Sequence, residues 1–354
     1  MIKAVHLPLG QHMWRSPDDT WDGKFMEDKR APIDDEERWL LQNWDRLVRD
    51  EQTWRRIIDH AAKRGLNMAL LDVTEALIYP SHPELAIREA WSPEKMNAEV
   101  RRLVSLGIEV VPCCNFSTGH DVWLGEYHRM VSTPEYYRVC ADVLKDLAEV
   151  FDHPRFIHLG YDEESAYNQR HHNYCVIRQG ELWWHDFLWF VKTVEKLGSR
   201  AWIYSDYCWS HKDEFIKRMP RSVMQSNWYY GNEFDPAKME KPYYLTTYDD
   251  LDRAGFEQIP CGVYSPDGGK IALQRTVEGK SRVGVLDRAS GRWTGRIRGV
   301  LRRVSTVASS ARCATSDVAR SISRSCRTTS PTVLDTRNTP SGRASRTSRL
   351  CGSC

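Results

Sequence analysis

The segment His158-Leu159-Gly160-Tyr161-Asp162-Glu163-Glu164 places neighbouring acids directly behind an apolar run, Phe156–Gly160. Two adjacent carboxyl groups can divide acid–base labour, provided their surroundings hold one charged and keep a proton on the other. Other polar groups follow apolar runs in the same way: Asn115, His120 and Asp121; Asp206 and Trp209; Asn227, Trp228 and Tyr229; Tyr248, Asp249 and Asp250. The set is rich in acids and aromatics and poor in Lys and Arg. A phosphate site calls for basic groups or glycine-rich amides. A sugar offers an apolar ring face to aromatic platforms and hydroxyls to carboxylates. The expected substrate is therefore a neutral carbohydrate, with Trp202, Trp209 and Trp228 as candidate pocket walls.

Plainer readings stand beside this one. Asp162–Glu164 can be a solvated acidic loop. His120 and Asp121 can join Asp162 around a metal ion, which points to a metal-assisted hydrolase. His171-His172 lacks further ligand spacing and reads as loop. His6, on an apolar strand, reads as a satisfied core histidine. Trp183, Trp184 and Trp189 read as packing on one helix, and Trp39 and Trp44 likewise read as core, their spacing leaving open a contribution of one of them to a dimer surface; the oligomeric state is not given by the sequence.

These groups need a scaffold, and the first 265 residues alternate strand-like and helix-like segments. Strands are expected at Ile2–Leu7, Asn67–Val73, Ile108–Pro112, Arg155–Gly160, Ala201–Ser205, Ser222–Asn227, Tyr243–Thr247 and Gln258–Val263. Helices are expected at 34–50, 51–64, after Ser92-Pro93, after Thr133-Pro134, at 181–197 and at 249–255. Ser and Thr followed by Pro combine an N-cap with a first-turn proline. Inward faces are assigned to Met96, Val100, Leu103 and Val104 on one helix, and to Tyr137, Ala141, Leu144 and Leu147 on the next. Parallel strands alternating with helices argue for an α/β fold, and eight units argue for a (β/α)8 TIM-type barrel. A doubly wound sheet is disfavoured, because no Gly-x-Gly-x-x-Gly follows a strand. In such a barrel the residues at the strand C-terminal ends carry function.

The strand-four segment resembles the His-x-Gly-Gly-Asp-Glu signature of glycoside hydrolase family 20, the β-N-acetylhexosaminidases. Val111-Pro112-Cys113-Cys114-Asn115-Phe116-Ser117-Thr118-Gly119-His120 resembles the family's strand-three segment ending in Pro-Gly-His, and Trp228 its strand-six tryptophan. The resemblance implies substrate-assisted, retaining hydrolysis of a terminal N-acetylhexosamine, in which the 2-acetamido oxygen is the nucleophile. It implies that Asp162 orients the acetamido group and that Glu163 is the general acid/base, its proton retained through burial and the charge of Asp162. His120 and His158 become supporting polar groups. Asp206, Trp209, Trp228, Tyr229 and Tyr248 are assigned to substrate binding, one of the tyrosines donating to the acetamido oxygen. Tyr161 stands where the family has a second glycine, and Cys113-Cys114 where it has an acid and its neighbour. The strand-two Leu70-Leu71-Asp72-Val73-Thr74-Glu75 does not resemble the family's segment there. A catalytically silent carbohydrate-binding barrel is the alternative function.

Composition changes abruptly near 262–270. Residues 266–354 hold 16 Arg and 2 Lys against 4 Asp and 1 Glu, a net +13, so residues 1–265 carry −11. Of 38 aromatic residues only Trp293 lies beyond 265. The front can build a core and the tail cannot. The tail is expected to be a low-complexity basic segment, disordered or translated out of frame, which leaves the barrel without its last helix. Its excess of Arg over Lys argues against a nucleic-acid arm. No cofactor is expected. Cys313, Cys326, Cys351 and Cys354 lack metal-ligand spacing, and Cys140 and Cys175 are expected as buried thiols. No run of 18 apolar residues marks a membrane span, and no signal peptide is visible. A cytoplasmic location is expected on that ground, although sugar hydrolases of this type are often exported.

Overall fold

The computed structural model describes residues 2–10, 46–47, 49–166, 168–169, 175–229 and 235–263, and beyond them only the backbone of four strands. Two compact units divide the chain, Met1–Cys313 and Ala314–Cys354; the second lies outside the described residues.

Strands and helices alternate from the start. β1 (Lys3–Pro8) leads to α1 (Glu51–Lys63), β2 (Met68–Asp72), α2 (Pro93–Ser105) and β3 (Glu109–Cys113). Next come α3 (Pro134–Val150), β4 (Phe156–His158), α4 (Glu181–Lys196), β5 (Arg200–Tyr204), α5 (Tyr207–Ser210), α6 (Lys212–Arg218) and β6 (Met224–Ser226). α7 (Tyr243–Arg253) and β7 (Cys261–Val263) follow. The helix starts have local causes. Ser92 Oγ accepts from the Lys95 N–H and Thr133 Oγ1 from the Tyr136 N–H, each with proline in the first turn.

The strands β1 to β6 lie side by side in chain order as a parallel half-barrel. Beyond β1 the order continues through β11 (Thr306–Ser309) to β7. Parallel bridges Gln225–Gln258 and Trp228–Cys261 join the β6 and β7 segments. Side chains alternate between two cores, as the period of two requires. Ala4, Met68, Leu70, Val111, Phe156, Trp202 and Met224 pack together inside the arc. Val5, Leu7, Ala69, Leu71, Val110, Ile157, Ala201 and Ile203 face the helices. On the inner face, His6, Asp72, Cys113 and His158 come next toward the C-terminal strand ends, all buried, so a polar layer caps the apolar one.

Several expectations need correction. Tyr243–Thr247 is the first turn and a half of α7, because Leu245, Tyr248 and Leu251 recur at helical spacing and are buried. Gln258–Val263 therefore supplies the seventh strand. In the region expected as a tail, the backbone forms β11 and an antiparallel sheet of β8 (Lys270–Val277), β9 (Lys280–Asp287) and β10 (Trp293–Thr294). Among the described residues no helix lies between β7 and β11. Val104 is 58% exposed rather than inward, since Met96, Val100 and Leu103 already fill the buried stripe of α2. On α3 the buried stripe runs through Tyr136, Val139, Cys140 and Val143, one residue off the expected Tyr137 and Ala141. Cys175 is exposed, not buried. Arg46 pairs with Arg88 as a bridge, so the expected helix at 34–50 does not reach that point. Residues 34–45 with Trp39 and Trp44, together with His171 and His172, lie outside the described residues. Among those described, no helix is long and apolar enough to cross a membrane.

Candidate active site

The loop after β3 folds over the loop after β4. Asn115 is the joint: its Nδ2 donates to Asp162 Oδ1 at 2.7 Å, and its Oδ1 accepts from the N–H groups of Ser117 (3.0 Å) and Tyr161 (3.1 Å). This crossing needs Gly160, whose φ is +67° and where a Cβ would fall 2.2 Å from Asn115 Cγ. Tyr161 and Glu163 also have positive φ, +69° and +53°. Non-glycine residues enter that region at a cost, so two in three positions mark a backbone held by its surroundings.

What holds it is visible on both sides. Glu163 N–H donates to Asp206 Oδ2 at 2.8 Å. Arg178, wholly buried, pairs with Glu164 at 2.9 Å and Asp186 at 3.4 Å, donates to the Phe116 carbonyl and lies 4.6 Å over the Tyr161 ring. Tyr161 points into the α4 core against Trp183, Phe187 and Phe190. Its bulk thus leaves the acids clear.

His120 joins the two acids. Its Nδ1 lies 3.3 Å from Asp162 Oδ1 and its Nε2 3.5 Å from Glu163 Oε2. Burial disfavours a charged ring, but the charges and hydrogen bonds of Asp162 and Glu163 outweigh it and raise His120 to about 10. Burial likewise disfavours an ionised Asp162, yet His120 and Asn115 hold it below the usual carboxylate range. Asp206 goes the other way: burial, then repulsion from Asp162, pushes its carboxyl well above that range. Its Oδ1 has no partner among the described residues. The fully enclosed acid is therefore Asp206. Glu163, expected to be enclosed, has a side chain 38% exposed, with Oε2 3.5 Å from His120 Nε2.

His158 lies beneath. It is fully buried and lowered to about 3, by burial and by the neighbouring His6. Its Nδ1 accepts from Gly160 N–H at 3.0 Å, which puts the ring proton on Nε2. His158 thus supports the turn from below and does not touch Asp162 or Glu163 directly.

An aromatic wall stands beside Asp206. Trp209 donates through Nε1 to Asn227 Oδ1 at 2.9 Å and meets Trp228 edge-on at 4.5 Å and Tyr244 at 4.4 Å between centroids. Tyr229 lies 6.1 Å from Tyr244. Tyr248 is buried behind the wall, its hydroxyl donating to the Asn227 carbonyl. Trp202 is core, donating to Ser226 Oγ at 2.7 Å, and is no pocket wall. Tyr244 escaped the sequence reading. Burial and the neighbouring Tyr243, with smaller contributions from Glu163 and Asp206, push its hydroxyl up from the ordinary tyrosine value. The only available signal was helical spacing at 243–251.

Among the described residues, two clusters could hold a metal ion: His120, Asp162 and Glu163, and separately His6, Asp72 and Cys113, each with ligand atoms within 4.8 Å of one another. Asp121 lies apart from the first cluster, 3.8 Å from His128.

No protein-family model and no curated protein matches the chain. Solved structures do. A mutant Streptomyces plicatus β-hexosaminidase in complex with the product GlcNAc aligns over 87% of this chain and 58% of its own, at 13% identity and TM-score 0.50. The GH20 β-N-acetylhexosaminidase of Streptomyces coelicolor aligns over 86% and 58%, at 15% identity and TM-score 0.49. The GH20 exo-β-N-acetylglucosaminidase of Vibrio harveyi aligns over 61% and 39%, at 14% identity and TM-score 0.45. The chain thus spans between 39% and 58% of the lengths of these structures. It shares the fold of the β-hexosaminidase catalytic barrel.

Proposed function

We propose that this chain is a glycoside hydrolase that removes a terminal N-acetylhexosamine by substrate-assisted, retaining hydrolysis. The barrel is a (β/α)8 barrel, and the chemistry lies within residues 1–265, with 266–354 taking no part in it. The observation that carries the reading is that His120 touches Asp162 and Glu163 together, beside the Trp209–Trp228–Tyr244 wall.

The mechanism follows from the two environments. Asp162 is anionic and fixed by Asn115 and His120. It accepts from the acetamido N–H and steadies the positive charge that grows as the acetamido oxygen attacks the anomeric carbon. Glu163 sits at the opening, where the leaving oxygen departs. It gives that oxygen a proton and then takes one from the incoming water. His120 holds both carboxyls in one plane of action and restricts the turn of Asp162. The aromatic wall covers the apolar face of the ring.

Release of nitrophenol from nitrophenyl N-acetylhexosaminides by the full chain tests this. Glu163→Gln is expected to lower kcat by at least about 100-fold with sugar binding retained. Unchanged rates remove Glu163 from the role. The silent carbohydrate-binding barrel draws support from the openness of Glu163 and its pairing with His120. It is favoured if N-acetylhexosamine quenches tryptophan fluorescence while no substrate is cleaved.

A further inference from the structure

Asp72 is a buried acid poorly matched by its partners. It ends β2, is 1% exposed, and its Oδ1 has no hydrogen-bond partner among the described residues. The basic group nearest to its Oδ2 is His6 Nε2, at 3.8 Å, beyond hydrogen-bond length. A carboxylate taken out of water is costly unless paired or bound to a metal. Cys113 stands across the ladder from Asp72, and His6 is on the strand at its other side. One ligand atom from each of the three lies within 4.8 Å of the others, and all three residues are buried.

We propose that His6, Asp72 and Cys113 form a zinc site in the polar layer beneath the acid pair. Zinc takes imidazole, carboxylate and thiolate ligands at about 2.0–2.3 Å in tetrahedral array, so ligand atoms stand about 3.3–3.8 Å apart. The His6–Asp72 separation of 3.8 Å already meets that spacing. The other pairs of ligand atoms lie within 4.8 Å, so side-chain rotation has to draw them closer by up to about 1 Å. The sulfur ligand selects against magnesium and calcium, which want oxygen alone. The charges balance: one dication, one carboxylate, one thiolate and one neutral imidazole sum to zero, the combination that burial tolerates best. Binding releases the Cys113 thiol proton to solvent. The three ligands come from three adjacent strands, a rigid mount for a metal. The fourth tetrahedral position is left for water or a ligand hydroxyl.

The test uses the full chain, freed of metal by a chelator and dialysed. Cadmium, added below one equivalent, fills the tightest site and gives a sulfur-to-metal charge-transfer band if a thiolate binds it. The band is expected in the wild type, lost in Cys113→Ser and kept in Cys175→Ser and His120→Gln. Cys113→Ser is expected to weaken zinc by at least about tenfold. A band that is absent from the wild type, or survives Cys113→Ser, overturns the site. So does loss of zinc on His120→Gln, which would place the ion on His120, Asp162 and Glu163. If Cys113→Ser does not fold, Asp72→Asn keeps the volume and reads the same site. Zinc should then weaken at least about tenfold, and unchanged affinity overturns the proposal. None of these readouts depends on sugar hydrolysis.

Discussion

The backbone N–H of Glu163 donates to Asp206 Oδ2 at 2.8 Å, and that bond fixes a residue whose φ is +53°. The Asp206 carboxyl thus acts on Glu163 through the Glu163 backbone amide. Asp206→Ala removes the acceptor and lets Glu163 relax toward ordinary backbone angles. Activity should fall by about 10- to 100-fold, the effect of a roughly 1 Å displacement of a reacting group. Asp206→Asn keeps an acceptor and should retain most of kcat. Steady-state rates on a nitrophenyl N-acetylhexosaminide check both. Equal losses in the two variants would show that the proton or charge of Asp206 matters, rather than its hydrogen bond.

The His120 pairing has a pH signature. The ring is raised from 6.5 to about 10 on folding, so its stabilising contribution is complete below 6.5 and fades as pH rises through about 10. Asp162, lowered from 3.8, contributes above that value and loses its contribution as pH falls below it. The pair therefore stabilises the fold between the acid limb of Asp162 and the alkaline limb of His120. Wild type should exceed His120→Gln in Tm near neutral pH, and the gap should close as pH approaches 10. A constant gap across that range would mean that His120 is not charged in the fold.

Arg178 tests how the acid loop is anchored. Its guanidinium is fully buried between Glu164 and Asp186 and reaches the Phe116 carbonyl. Arg178→Met leaves two buried carboxylates without their cation, and breaking such a pair costs about 3–5 kcal/mol. Urea unfolding should show a loss of that size. Adding Glu164→Gln should restore part of it, because the orphaned charge is gone. A loss under about 1 kcal/mol would place the anchor elsewhere.

Much of this architecture was legible because its causes are local. Ser92-Pro93 and Thr133-Pro134 cap helices wherever they stand, and the acids behind Phe156–Gly160 had to emerge at a strand end. What escaped depends on direction and distance. Met68-Ala69-Leu70-Leu71 is apolar throughout, so sequence alone cannot say which residues face inward. Tyr243-Tyr244-Leu245-Thr246-Thr247 has strand-like composition, and only the packing of Leu245, Tyr248 and Leu251 makes it helical. Tyr244 meets Trp209 only in space. The positive φ of Glu163 and the bond of its N–H to Asp206, 43 residues away, are recorded by no local pattern.

Gly160 gives the sharpest local test. Its φ of +67° already disfavours any side chain, and a Cβ there would fall 2.2 Å from both Cγ and Oδ1 of Asn115. Asn115 cannot yield without releasing Asp162, Ser117 and Tyr161, all of which it bonds. Gly160→Ala should therefore cost about 1–3 kcal/mol in backbone strain alone. It should also lower activity, since Asp162 loses its amide donor. In Asn115→Ala the offending atoms are gone, and adding Gly160→Ala to that background should cost only the backbone part. A double-mutant cycle by urea unfolding measures the difference, expected at 0.5–3 kcal/mol, roughly, for residues in contact. Strict additivity would mean that the Asn115 side chain does not occupy the space above Gly160, and the crossing of the two loops would have to be redrawn.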